Sequence, residues 1–291
     1  MKLITIATHS DGYFPYLQQS CKRYNAELIV LGYNEKWTDY SWRIKLLYEY
    51  IQKLNPNEIV CFIDAYDVLL LRPLNELETL FKTVSESTKN NIIIGCDHPA
   101  NLLYYYLVYW VFGKCQDKQI NAGTYIGYVK DLLIMLKHML LISEKISEKD
   151  DQIVLTNFCK KSPNNVYIDC DNLFFLTIVN PIVSIIDKYM EINNNELVYK
   201  GVRPFFIHGN GNTNLNELII KLGYDISNDE KKRIYKYHKK FIFKKTIYFI
   251  KYFVILLILL CIILIILIKY KKIKKNLVNL LKHYDLVIGK K

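Results

Sequence analysis

Residues 58–73 read EIVCFIDAYDVLLLRP. An apolar run ends abruptly in two carboxylates, Asp64 and Asp67, and then resumes as VLLL. The run into Asp64 is β-rich and almost wholly apolar, a pattern that suits a central parallel strand buried on both faces. Upstream, LITIAT (3–8) reads as a strand and residues 15–24 as a helix. AELIVLG (26–32) reads as a second strand. SWRIKLLYEYIQKL (41–54) carries apolar residues at 44, 47, 48 and 51, which is helical spacing. Strand, helix, strand, helix, strand predicts an α/β fold with right-handed crossovers. Open sheets of this kind bind ligands beyond the carboxyl ends of their strands, and Asp64 stands at such an end.

Downstream, NNIIIGC (90–96) reads as a strand and NAGTYIGYV (121–129) as a glycine-containing turn leading into one. Residues 130–142 and the segment opened by EKDDQ read as helices. PFFIHGNG (204–211) is a short apolar strand closing in a glycine-rich turn, followed by helical LNELIIKLG. The aromatic stretch NLLYYYLVYWVFG (101–113) is too short to cross a bilayer. It reads as a core helix, with a lid, an acceptor platform or a membrane-touching surface as the functional alternative.

Charge is divided unevenly along the 291 residues. The net +11 arises from residues 231–291, with 17 Lys/Arg against the single acid Asp285; the other 230 residues carry 22 basic and 27 acidic side chains, a balance of −5. A nucleic-acid binder is expected to carry its basic face within the folded body, so this distribution argues against one. From Tyr252 to Ile268 there are 17 residues without a charge. That length and composition predict a transmembrane helix, assigned to 247–268, after a domain at 1–228 and a basic linker at 229–246. A short basic tail, 269–291, follows. Nine Lys/Arg in 231–251 and eight in 269–291 leave the positive-inside rule nearly tied. The N-terminal MKLITIATHSDGYFPYL lacks the pattern of a signal peptide. The expected topology is therefore a single-pass C-terminal anchor with a cytosolic catalytic domain. The seven cysteines are scattered, odd in number and without a C-x-x-C pair, so they read as neither a disulfide framework nor a zinc pattern; most read as small core residues, which fits a reducing compartment.

Three groups of residues carry chemistry. D-x-x-D after a buried strand is either a turn whose acids bond nearby N–H groups or a site for a divalent cation, for which hard oxygen ligands suit Mg²⁺ or Mn²⁺. IHGNG places His208 at another strand end; a lone histidine is more often structural, yet imidazole suits Mn²⁺ better than Mg²⁺. Asp150 and Asp151 in KDDQ read as helix N-terminal acids, one of which is able to do chemistry as well.

In order, ITIATHSDGY, IVCFIDAYDVLL, INAGTYIGY, KDDQ and FFIHGNGNTNLNELIIKLGY cover about residues 1–225. Together they make the chain similar to the glycosyltransferase domain of the lysyl hydroxylase/procollagen glycosyltransferase family. That resemblance implies a GT-A-like (Rossmann-like) fold, with a mixed, mainly parallel sheet flanked by helices. It also implies a UDP-hexose donor (glucose or galactose) and Mn²⁺, or Mg²⁺ in its place, on the diphosphate. By match, Asp64, Asp67 and His208 would be the metal ligands, Tyr66 would stack on uracil and Thr8 would touch the nucleoside. Arg43 falls where the family has a basic residue near the donor. Gly209 and Asn210 would lie against the phosphates or sugar, and Asn121, Asp150 and Asp151 would line the sugar and acceptor side. A carboxylate there would take the acceptor hydroxyl's proton if the reaction inverts configuration. Two departures stand out: Asn214 replaces a family lysine, and DHPAN (97–101) stands where an aromatic–proline pair is expected. The family's hydroxylase domains have no counterpart in these residues.

The expected function is transfer of a hexose to a hydroxyl acceptor, hydroxylysine or another protein or glycan group. The competing readings are a silent, membrane-anchored sugar-nucleotide or glycan-binding module, and a glycosidase, whose paired acids need no metal-binding histidine.

Overall fold

The computed structural model describes residues 1–97, 102–146, 150–179, 190–211 and 213–288. Two compact units emerge, Met1–His238 and Lys239–Lys291. The first opens as the apolar runs predict. Strand β1 (Lys2–Ile6) leads through α1 (Phe14–Arg23) to β2 (Leu28–Leu31), then through α2 (Tyr40–Ile51) to β3 (Ile59–Ile63). After the acids come β4 (Val68–Leu70), α3 (Leu74–Thr88), β5 (Ile92–Cys96), α4 (Leu102–Phe112) and β6 (Ile120–Tyr128). Then follow α5 (Val129–Ile146), α6 (Asp151–Lys161), β7 (Val166–Asp169), β8 (Phe175–Val179), β9 (Met190–Asn193), β10 (Glu196–Tyr199) and β11 (Phe206–Asn210). Helices α7 (Asn216–Lys221) and α8 (Asn228–Ile288) close the chain.

The main sheet has the order β2-β1-β3-β6-β5-β7. Its β1–β2, β1–β3 and β5–β7 pairs are parallel, whereas β6 runs antiparallel to both β3 and β5. The sheet is thus mixed and mainly parallel. Successive residues of a strand face opposite sides. Ile4, Val60 and Phe62 accordingly face the core built with α2, α5 and α6, while Leu3, Cys61 and Ile63 face the core shared with α1 and α3. Burial on both faces accounts for the unbroken apolar composition of β3. A second sheet, β4-β11-β8, and the β9–β10 hairpin complete this unit. Neither the hairpin nor β7 and β8 was expected from the sequence.

Three expectations change. Residues 121–129 are not a turn leading into a strand: β6 runs unbroken from Ile120, because its glycines fit inside the sheet where close neighbours leave no room for a side chain. Helix α4 is not wholly a core helix, since Val108 is buried while Tyr106 and Trp110 are exposed. Four cysteines are not isolated core residues: Cys96–Cys170 and Cys115–Cys159 are disulfides. The parallel β5–β7 register, with Gly95 opposite Asp169, brings Cys96 and Cys170 together. Cys21 and Cys61 remain buried free thiols. Burial pushes the Cys21 thiol up to about 12 and the Cys61 thiol well above its ordinary value.

In the second unit, Phe253–Lys274 is long and apolar enough to cross a membrane, with a mean hydropathy of 3.3 and none of its residues buried.

Candidate metal and donor site

The crevice between β1 and β3 is where the chain turns from one side of β1 to the other, the position at which open α/β sheets bind ligands. Asp64 lies just beyond the carboxyl end of β3, on the same side of the sheet as Phe62. Its backbone N–H donates to Gly123 O of β6 at 2.8 Å, which fixes the first acid against the antiparallel neighbour. Asp67 immediately precedes β4. The β4–β11 pairing sets His208 opposite Val68, and Gly209 N–H donates to Asp67 O at 2.7 Å. This register, not sequence proximity, brings His208 to the two acids. The three ligand atoms lie within 4.8 Å of one another.

His208 is buried, and neither ring nitrogen makes a hydrogen bond among the described residues. Its Nε2 stands 3.3 Å from Asp67 Oδ1 and 3.8 Å from Asp64 Oδ2. Burial opposes protonation, but Asp67, Asp64 and Asp97 outweigh it and raise the imidazole pKa above its usual value. A buried imidazole with two unsatisfied nitrogens beside two carboxylates needs a partner. Two oxygens and one nitrogen form a donor set suited to Mn²⁺. The residues therefore fit a divalent cation. Gly123 makes the room: a Cβ there would sit 2.5 Å from Asp64 Oδ2 and 2.7 Å from His208 Cε1.

Arg43 joins the metal cluster to the second acid pair. Asp39 caps α2 by accepting from Trp42 N–H at 3.0 Å, which places Arg43 in the helix's first turn. Its guanidinium pairs through Nη1 with Asp64 and through Nη2 with Asp151, and lies over the rings of Phe62 and Tyr40. Burial works against that charge, but Asp64 foremost outweighs it and holds Arg43 above its ordinary pKa. Asp151 is buried in the first turn of α6. Asp150 is the N-cap, accepting from Gln152 N–H at 2.9 Å and Ile153 N–H at 3.4 Å. The capping reading of KDDQ is therefore right for Asp150, while Asp151 turns inward to Arg43. Gln152 docks α6 on β6, accepting from Ala122 N–H at 2.8 Å and donating to Ile120 O.

The nucleoside and sugar candidates occupy two flanks. Thr8, just beyond β1, donates its N–H to the Tyr66 hydroxyl at 2.9 Å, so these two proposed nucleoside contacts are neighbours. Gly12 is glycine by necessity here, with φ +51° and the Tyr66 carbonyl 2.7 Å from any Cβ. On the other flank Asn121 and Asn210 both donate to Asp97 Oδ1 at 3.0 Å. Asn121 Oδ1 in turn accepts from Gly123 N–H at 2.8 Å. Gly209 also borders the core: a Cβ there would sit 3.0 Å from the buried Leu215 side chain. Asn214, at the missing lysine's position, accepts from Tyr13 OH at 3.3 Å and from Asn216 N–H at 2.9 Å. Residues 98–101 of DHPAN lie outside the described residues.

Asp97, Gly123 and Gln152 were not singled out from the sequence. Asp97 had a signal, since it ends the apolar run IIIGC as Asp64 ends IVCFI. Gly123 had a weaker one, a glycine inside an apolar strand. Gln152 had none.

Comparison with known proteins identifies the family of the first unit. The family model described as PLOD GT domain matches residues 1–231. The procollagen-lysine,2-oxoglutarate 5-dioxygenase of Drosophila melanogaster is 26% identical over 229 residues, covering 72% of this chain and 30% of the relative. The multifunctional procollagen lysine hydroxylase and glycosyltransferase of Caenorhabditis elegans is 24% identical over 230 residues, again covering 72% and 30%. The chain thus spans about a third of the length of these curated relatives. Among solved structures, a glycosyltransferase involved in glycosylation of the major capsid of the virus PBCV-1 superposes with a TM-score of 0.42 and 12% identity. That superposition covers 71% of this chain and 92% of the other.

Proposed function

The chain belongs to the PLOD GT-domain family, and on that premise we propose that it is a metal-dependent glycosyltransferase moving a hexose from a UDP-sugar to a hydroxyl acceptor. The observation that carries this reading is the Asp64–Asp67–His208 cluster, whose buried histidine makes no hydrogen bond among the described residues and faces two carboxylates. A divalent ion held there, Mn²⁺ by donor chemistry, would supply Lewis-acid stabilisation of the charge that grows on a leaving diphosphate.

The chain's own residues do the rest. Tyr66 and Thr8 offer an aromatic face and a polar edge to the nucleoside. Arg43 pairs with both Asp64 and Asp151 and so holds acids drawn from two elements side by side. Asn121 and Asn210, joined through Asp97, present amide groups to the sugar. In an inverting transfer the bond from the sugar's anomeric carbon to UDP breaks and a bond to the acceptor oxygen forms. The acceptor's proton would pass to a carboxylate at the N-terminus of α6. Asp150, half-buried at the cap, is the better placed, because Asp151 is buried against Arg43. The acceptor class is a hydroxyl on a protein or glycan, with hydroxylysine first among those the relatives' names suggest.

The exposed apolar stretch of the second unit supports anchoring in a bilayer, because so much contiguous apolar surface is not left in water by a folded chain. The two disulfides support placing the first unit in an oxidising compartment, in place of the cytosolic location expected from the N-terminal sequence and the C-terminal anchor. The test of function is a screen of UDP-sugars for hydrolysis or transfer, with and without Mn²⁺. Turnover that requires the metal is expected with UDP-glucose or UDP-galactose. Absence of metal-dependent turnover with every common UDP-sugar would return the silent binding module.

A further inference from the structure

The family match ends at residue 231, yet the first compact unit continues to His238 along the opening turns of α8. Four side chains just past that limit, Arg233, Ile234, Tyr237 and His238, have the spacing of a single helix face. All four pack back onto the donor flank. Ile234 is buried in the core formed with Tyr13, Tyr16 and Leu215. Arg233 donates through Nη1 to Asp11 Oδ1 at 3.2 Å and to Ser10 O at 3.4 Å, and through Nη2 to Gly12 O at 3.4 Å. His238 meets the Tyr13 ring edge-on at 5.4 Å. Tyr237 lies against Tyr66 itself, with ring centroids 5.3 Å apart and planes at 39°. The Tyr237 ring edge also closes over Gly12, 3.2 Å from where a Cβ would be.

The two tyrosines therefore form a unit fixed at both ends. At one end, the Tyr66 hydroxyl accepts from Thr8 N–H. At the other, Tyr237 is carried on a helix pinned by Arg233 and Ile234. We propose that this helix, whose packed face lies past the end of the family match, is a working part of the nucleotide site, and that Tyr237 is a positioning residue holding the Tyr66 ring where a nucleobase stacks. Burial, followed by the charges of Asp67, Tyr66, Asp11 and Asp64, drives the Tyr237 phenol pKa far upward, in keeping with a neutral hydroxyl. The inference rests on the donor reading above and goes beyond it, because it draws the segment leading to the apolar helix into donor binding.

The test is calorimetric titration of UDP into the full chain in detergent micelles at saturating Mn²⁺. Mn²⁺ affinity is measured separately by electron paramagnetic resonance. Replacing Tyr237 by Ala removes one ring of the pair and is expected to weaken UDP binding about three- to tenfold. Tyr237→Phe keeps the ring and should bind as wild type does. So should Tyr235→Ala, which alters an exposed ring on the same helix. Mn²⁺ affinity should stay constant throughout, a split that general loss of structure would not give. Unchanged UDP binding in Tyr237→Ala overturns the proposal, and tighter binding overturns it by making the helix a cover over the site. A wild type that binds Mn²⁺ but no UDP overturns the donor reading beneath it, and does so before any variant is compared.

Discussion

Gly123 shows how a site is made by what a residue lacks. Its neighbours are a carboxylate beyond β3 and an imidazole from β11 of the second sheet, which both need the space a methyl group would fill. In Gly123→Ala, Asp64 or His208 must shift while β6 keeps its hydrogen bonds. Mn²⁺ affinity is expected to fall about 10- to 100-fold, the range seen when groups supporting metal ligands are disturbed, with thermal unfolding little changed. Equal metal affinity in that variant would show that the cluster has slack. Asp64, Asp67 and His208 stood out in the sequence as acids at the ends of apolar runs and a histidine before glycines, but their grouping as a ligand set came from the family resemblance and not from that pattern. Arg43 was legible only as a basic residue near the donor. Its bridge between Asp64 and Asp151 depends on how α2 and α6 pack, and no spacing within the chain records that. Gly209 read as a ligand-approach glycine, and its close contact with Leu215 on the core side left no mark in the sequence.

At the scale of elements, pairing decides which residues meet. The strand–helix alternation up to β3 could be read because burial on both faces demands continuous apolar sequence. The direction of β6 could not, since parallel and antiparallel neighbours draw on the same residue types. The Cys96–Cys170 bond was hidden for the same reason, as it follows from the β5–β7 register. The turn after β7 illustrates what holds these pairings in place. Asp169 is fully buried and accepts from the N–H groups of Leu173, Phe174 and Phe175 at 2.9, 2.7 and 2.8 Å. Burial raises its pKa to about 6 even though the three donors pull it down. Asp169→Ala strands these donors in the interior, and a loss of about 3 kcal/mol in stability is expected from denaturant unfolding. A change of less than about 1 kcal/mol would mean that the turn is held by other contacts.

For the molecule as a whole, charge and covalent cross-links mark the two units differently. The basic tail and apolar stretch were plain from composition, because bilayer spanning depends on length and polarity alone. The cross-links were not, and they alter where the first unit is placed. The disulfides join residues 74 and 44 positions apart, separations for which chain entropy assigns about 4 kcal/mol each. Mild reduction should therefore lower the melting temperature of the first unit by at least about 8 °C, read by scanning calorimetry with and without reductant. Peptide mapping under non-reducing conditions should recover the pairs Cys96–Cys170 and Cys115–Cys159. Fully reduced cysteines in protein isolated with thiols blocked would instead restore a reducing location.

The central claim is that Asp64, Asp67 and His208 hold the metal on which sugar transfer depends. The direct measurement is Mn²⁺-dependent turnover of the preferred UDP-sugar by wild type and by Asp67→Ala, with folding of both checked by circular dichroism. The account predicts that the folded variant retains only the metal-free rate. Wild-type turnover in Asp67→Ala at the same Mn²⁺ concentration would contradict it.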